Sequence, residues 1–160
     1  MTATTTQESL LNELYDGIPL EVRLELEKRE RTRKTRQGET LLQHGLTPDK
    51  LTLLNSGRVE ISVNSSGHEV VLGTAGPGKT FGMRRAITGE PAEITVTCLE
   101  ECEISEIAVA EFQAVLRDNP QLYFVVAKVL SADLKIVDEL LRSCSRRVSS
   151  AVRAKNVREV

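Results

Sequence analysis

Between residues 31 and 107, glycine, proline, serine and asparagine divide the sequence into short apolar segments. The segment 59–63 alternates valine or isoleucine with glutamate or serine, which is the pattern of a strand with one buried face. Short strands at a spacing of roughly 8–12 residues are typical of an antiparallel sandwich or barrel. We predict six strands, over residues 40–42, 51–54, 59–63, 69–72, 93–97 and 103–107.

The composition is that of a soluble domain with an aliphatic core. Hydrophobic residues make up 40% and charged residues 28% of the 160 residues, whereas aromatic residues make up only 3%. The net charge of −2 excludes a chain that attracts nucleic acid or an anionic membrane as a whole. The run 29–36 is mostly charged, and we interpret it as a solvated strand or loop face rather than a nucleic-acid patch.

Helices are predicted on both sides of the strand region. Ser9 can cap a first turn, and Pro19 opens a helix rich in leucine and glutamate. A short helix follows the last strand at residues 109–116. Asn119 and Pro120 then begin a long helix, because asparagine caps well and proline suits the first turn.

Apolar residues along the long helix form a continuous seam. From Tyr123 to Ala151 they recur at alternating steps of four and three residues, which is the pattern of a coiled coil. A small barrel covers only the first turns of such a helix, so we expect the rest to pack against a second copy in a parallel dimer. The alternative is a helix that lies back on its own domain. The predicted dimer contacts are Leu130, Leu134, Val137, Leu141, Cys144 and Val148.

These patterns divide the chain into four parts. We predict a flexible N-terminus at residues 1–8, a β-roll with flanking helices at 9–118, the dimerisation helix at 119–152 and a tail at 153–160. No apolar run approaches the roughly 18 residues that a membrane span needs. The three cysteines form no disulfide scaffold, so we predict a cytoplasmic protein.

Several segments occur in an order and spacing that indicate a family. These segments are residues 37–45, 53–61, 72–82 and 102–107, followed by Phe112, Asn119 and Pro120. In them the chain resembles the sensor half of bacterial cyclic-AMP receptor and fumarate–nitrate regulator proteins, and cyclic-nucleotide-binding domains generally. The resemblance covers residues 9 to 150. It implies a mainly β jelly-roll barrel with short N-terminal helices and a long C-terminal dimerisation helix.

The resemblance also implies a ligand site after the Phe-Gly pair that precedes a small helix. In the family, a glutamate just after this glycine accepts a hydrogen bond from the ribose, and an arginine about ten residues later neutralises the cyclic phosphate. Here Met83 follows Gly82, and Ala92 stands where the arginine is expected. The positions that contact adenine fall on Val137 and Asp138. We therefore do not expect high-affinity binding of cyclic AMP in the family's geometry.

Other residues near this site can change its ligand. Arg84 and Arg85 begin the small helix, and either can hold a different anion unless both point to solvent. Met83 favours an apolar ligand or a filled pocket, and Glu90 is interpreted as a surface-loop residue. The candidate ligand-binding residues are Leu72, Gly82, Met83, Arg84, Arg85, Ala92, Glu93 and Thr95.

No cofactor or metal ion is predicted. His44 and His68 are the only histidines, and both lie in predicted turns, which disfavours haem ligation. Cys98 and Cys102 straddle a turn, and we interpret them as a reduced pair without further metal ligands nearby. Cys144 falls on the seam, where it would face its own copy as a small apolar side chain.

No combination of residues indicates catalysis, so we do not expect an enzyme. Three hypotheses remain: a dimeric small-molecule sensor with altered ligand choice, a ligand-free protein-interaction module, and the sensor half of a transcription regulator that binds a cyclic nucleotide or another small anion. The expected partners are a second copy of the chain and a small molecule or protein. We expect no membrane contact and no direct DNA binding by this chain.

Overall fold

The computed structural model describes residues 12–132, 134–135, 138–139 and 142. The elements are α1 (Leu20–Glu27), β1 (Arg31–Lys34), β2 (Thr40–Leu42), β3 (Lys50–Ser56), β4 (Val59–Ser65), β5 (His68–Ala75), β6 (Thr80–Phe81), α2 (Met83–Thr88), β7 (Thr95–Cys98), β8 (Glu103–Ala108), α3 (Val109–Asp118) and α4 (residues 122–132). The isolated described positions beyond α4 are also helical.

The strands form two antiparallel sheets of four strands each. Their orders are β1-β8-β3-β6 and β2-β7-β4-β5, so chain neighbours are often separated in space. All six predicted strands are present, each shifted by at most a few residues. This arrangement confirms the predicted mainly β, jelly-roll-like fold with flanking helices.

Two strands are not among the six predicted ones, and each lacks the apolar alternation on which those predictions depend. One of them, β1, lies in the run 29–36 that was interpreted as a solvated strand or loop face, and it is a solvated strand. All four residues of β1 are exposed, because this charged segment is the edge strand of its sheet and pairs only with β8. The two residues of β6 are too few to show any period, and they pair with Thr52 and Leu53 of β3. Pairing with a neighbouring strand therefore defines both elements.

The predicted alternation in β4 breaks at Ser62, which is buried rather than exposed. Opposite this point β5 carries one extra residue, since Ile61 pairs with Gly73 and Ser62 with Val71. Such a bulge twists and bends the strand pair locally. The buried Ser62 hydroxyl is satisfied because it donates to the Glu69 carboxylate at 2.9 Å.

The core consists of two aliphatic clusters. One lies where the helices meet β3 and β8, around the fully buried Phe112. The other lies between the two sheets, around Leu54, Val96 and Ile104. At roughly 25 cal/mol per Å² of buried apolar surface, these clusters supply the main favourable term in folding.

Helix α4 packs on its own domain through one face. That face consists of Leu122, Val125, Val126 and Val129. The predicted seam begins on a neighbouring face, where Tyr123 is 50% exposed and Leu134 is 71% exposed. Leu130 lies between the two faces and is partly buried against the helical core cluster. The other predicted dimer contacts, Val137, Leu141, Cys144 and Val148, lie outside the described residues.

Candidate ligand-binding cavity

A sharp change of direction at Gly82 carries the chain from β6 directly into α2. Gly82 has a φ of 93°, in the left-handed region that glycine adopts without strain. A Cβ atom at this position would lie 2.9 Å from the Lys50 carbonyl oxygen. The turn therefore requires glycine both for its conformation and for the close approach of β3.

The segment before this turn is held by the start of the described chain. The Thr80 amide donates to the Glu13 carboxylate at 2.9 Å, and the Asn12 side-chain amide donates to the Lys79 carbonyl at 3.2 Å. Lys79 also pairs with Glu13 at 3.2 Å. These contacts fix β6, and through it α2, against the barrel.

A cavity of about 300 Å³ opens beside α2. It is bounded by β6, α2, the loop after β2, the segment before β7 and the described helical residues 130 and 134. Most of its surface is formed by what we call the apolar wall: Leu42, Pro48, Phe81, Met83, Ala92, Ile94, Leu130 and Leu134. Its remaining lining residues are Thr80, Gly82, Arg84, Arg85, Thr88 and Glu93.

The two altered family positions both lie in the apolar wall. Met83 is 2% exposed and belongs to the helical core cluster, and Ala92 is 8% exposed. The backbone holds Ala92 in place, because its amide donates to the Leu46 carbonyl at 2.9 Å and its carbonyl accepts from the Gly45 amide at 2.8 Å. No acceptor for a ribose and no cation for a phosphate stands at these two positions.

The two arginines of α2 have different surroundings. Arg84 is neutralised by two carboxylates, those of Glu90 and Glu93, the latter at 2.8 Å. The Arg85 guanidinium donates to the Gly89 carbonyl at 3.1 Å and, within the described part of the chain, has no acidic partner. The Nε atoms of both arginines are shielded from solvent without a hydrogen-bond partner. The cavity rim therefore holds one compensated cation and one uncompensated cation.

Six of the eight predicted site residues line this cavity, and two do not. Leu72 is buried in β5, at the opposite edge of its sheet from β2, and does not reach the cavity. The Thr95 hydroxyl instead accepts a hydrogen bond from the His44 amide at 3.0 Å. Ile94, its neighbour, faces the cavity.

Other lining residues were not predicted as site residues. They are Leu42, Pro48, Thr80, Phe81, Thr88 and Ile94. Phe81 belongs to the Phe-Gly pair that located the site, whereas the other five resemble ordinary strand, loop or helix residues and no local signal distinguishes them. Leu130 and Leu134, which were predicted as dimer contacts, also line the cavity.

Cys98, Cys102 and both histidines lie away from the cavity. Cys98 and Cys102 are free and buried, and the Thr35 hydroxyl donates to the Cys98 sulfur at 3.3 Å. Burial, and then the neighbouring Cys98, raise the pKa of the Cys102 thiol, which opposes formation of the reactive thiolate. The His44 Nδ1 accepts from the Asn64 amide at 3.0 Å. His68 begins β5, and Cys144 lies outside the described residues.

The described residues contain neither a metal-binding cluster nor a membrane-spanning helix. No group of three or more histidine, cysteine, aspartate or glutamate side chains there is arranged to hold a metal ion. Among the same residues, no helix has the length and apolar character to cross a membrane.

Several solved structures share this fold. The regulatory domain of protein kinase A from Toxoplasma gondii, in co-crystal with cAMP, is 23% identical, with a TM-score of 0.63 over 68% of this chain and 42% of that one. The catabolite activator protein of Thermus thermophilus is 24% identical, with a TM-score of 0.69 over 83% of this chain and 63% of that one. The regulatory subunit of a cAMP-independent protein kinase A from Trypanosoma brucei is 16% identical, with a TM-score of 0.67 over 82% and 46%.

The present chain thus spans less than two thirds of each of these three proteins. No curated protein sequence matches it significantly. The model of the cyclic nucleotide-binding domain family matches residues 32–119, which is more than half of the chain and includes β6, α2 and Ala92. By this match and by its two-sheet barrel, the chain belongs to the cyclic nucleotide-binding domain family.

Proposed function

We propose that the chain is a non-catalytic sensory and regulatory domain that does not bind cyclic AMP with high affinity. The observation that carries this proposal is the pair Met83 and Ala92, two buried apolar residues in the wall of the cavity. A cyclic nucleotide seated there would bury its phosphate charge and its ribose hydroxyl without their usual partners.

The size of the effect follows from the two interactions that are missing. A hydrogen bond to a charged group contributes roughly 1.5–3 kcal/mol. Losing two such interactions corresponds to a loss of roughly 10²–10⁴-fold in affinity. The fold is compatible with this outcome, since similar structures include a domain in co-crystal with cAMP and a subunit of a cAMP-independent kinase.

Dimerisation through the C-terminal helix is the second part of the proposal. Tyr123 and Leu134 are 50% and 71% exposed, although α4 buries another face on its own domain. Exposed apolar side chains on a neighbouring face favour a second copy as the partner. A cytoplasmic location is also proposed, supported by the free cysteines Cys98 and Cys102.

Isothermal titration calorimetry of the full chain with cyclic AMP and cyclic GMP tests the ligand part. We expect no binding in the micromolar range for the unaltered chain. Ala92→Arg restores a phosphate cation and should tighten cyclic AMP at least tenfold, whereas Ala92→Met adds bulk without charge and should not. Micromolar binding by the unaltered chain would refute the proposal.

A further inference from the structure

We propose that the cavity binds a small amphipathic monoanion, a carboxylate with a hydrocarbon body, whose carboxylate is held by Arg85. This inference rests on the proposed function and names the ligand class of the same cavity. It uses the charge balance of the rim and the composition of the apolar wall.

The charges of Arg84 and Arg85 and of their partners favour a ligand with a single anionic group. Arg84 already faces the carboxylates of Glu90 and Glu93, so a ligand gains little by pairing with it. Arg85 lacks an acidic partner within the described residues, and its Nε has no hydrogen-bond acceptor. A guanidinium offers five N–H donors in a planar fork that matches a carboxylate. One carboxylate at the terminal N–H groups of Arg85 therefore supplies the counter-charge that this guanidinium lacks among the described residues, whereas the shielded Nε takes no part.

The composition of the apolar wall favours a hydrocarbon body for the rest of the ligand. Phe81, Met83, Ile94 and Leu134 offer carbon atoms where a sugar or a base would need hydrogen-bond partners. Burying hydroxyl groups against such a surface costs free energy, whereas each buried methylene is favourable. The volume of about 300 Å³ lies at the lower end of the range for ligand pockets, so the hydrocarbon body is short.

Octanoate, below its micelle-forming concentration, is the probe for isothermal titration calorimetry of the full chain. We expect saturable binding at one site per chain, and tighter binding than that of hexanoate by about fourfold per methylene. Octanamide has the same body without the charge and should bind at least tenfold more weakly.

Two variants test the assigned cation in opposite directions. Arg85→Gln should weaken octanoate at least tenfold, and the same substitution at the exposed Arg31 of β1 should not change it. Glu93→Gln removes a rim carboxylate and should strengthen octanoate binding. Circular dichroism of each variant verifies that it is folded.

The outcomes separate this inference from the function on which it rests. Absence of saturable octanoate binding in a chain that also fails to bind cyclic AMP would overturn the inference alone. Equal affinity for octanoate and octanamide, or unchanged affinity in Arg85→Gln, would overturn the role of Arg85. Micromolar binding of cyclic AMP to the unaltered chain would instead overturn the proposed function.

Discussion

Replacing Gly82 by alanine should destabilise the domain through two separable effects. The left-handed φ of 93° costs a residue with a Cβ about 1–2 kcal/mol. The new methyl group would also lie 2.9 Å from the Lys50 carbonyl oxygen, a backbone atom that moves only if β3 moves. Together we expect a loss of about 2–3 kcal/mol in the free energy of unfolding. For a domain of this size that corresponds to a fall of roughly 5–10 °C in Tm.

Gly38→Ala is the matched control for this substitution. Gly38 has a φ of 84°, and a Cβ placed there would meet no atom within 4 Å. Urea denaturation of both variants, followed by far-ultraviolet circular dichroism, should show that Gly82→Ala loses more stability than Gly38→Ala. The difference measures the contact with β3 alone. Equal losses in the two variants would refute the close approach of α2 to β3.

Three further predictions concern assembly, pH and a second tight turn. Leu134→Glu should dissociate the proposed dimer in analytical ultracentrifugation. Lys128→Glu should not, because Lys128 is exposed on another side of the helix. An unaltered chain that is monomeric at tens of micromolar would contradict the dimer. Burial raises the pKa of the Glu30 carboxyl in the folded protein above its pKa in the unfolded chain. This carboxyl therefore contributes to the stability of the folded state at low pH, and the contribution is lost as the pH rises through the folded-state pKa. Glu30→Gln should therefore gain stability relative to the unaltered chain between pH 4 and pH 7.5 in urea titrations, and a constant difference would contradict this. Gly57→Ala should be more destabilising than Gly38→Ala, because a Cβ at residue 57 would lie 2.5 Å from the Cys102 sulfur. Similar Tm values for the two variants in thermal denaturation would disprove this.

Strands with apolar alternation could be predicted from the sequence, and strands defined by their neighbours could not. The segment 103–107 shows a clear buried face, and it forms a central strand of its sheet. Three of the four residues of β1 are charged and all four are exposed, so the sequence left open whether this segment is a solvated strand or a loop. The burial of Ser62 depends on an extra residue in the partner strand, which no pattern within β4 can reveal.

The site was predictable where it depends on residue identity and unpredictable where it depends on position in space. The resemblance to the family implies that Met83 and Ala92 stand where a carboxylate and a cation are expected. It does not indicate that Glu93 compensates Arg84 while Arg85 has no acidic partner among the described residues, because both arginines precede the same loop. It also could not exclude Leu72, whose distance from the cavity follows from the order of the strands.

Leu130 and Leu134 line the cavity and are also predicted dimer contacts, and Leu134 is exposed on the face on which the predicted seam begins. Ligand binding in the cavity and the position of these two residues are therefore energetically coupled. Thermodynamic reciprocity then requires that, if saturation with ligand changes the dissociation constant of the proposed dimer by some factor, dimerisation changes the affinity of each of its two equivalent cavities by the square root of that factor. With such coupling, the apparent affinity of the cavity depends on protein concentration, even though every lining residue described comes from a single chain.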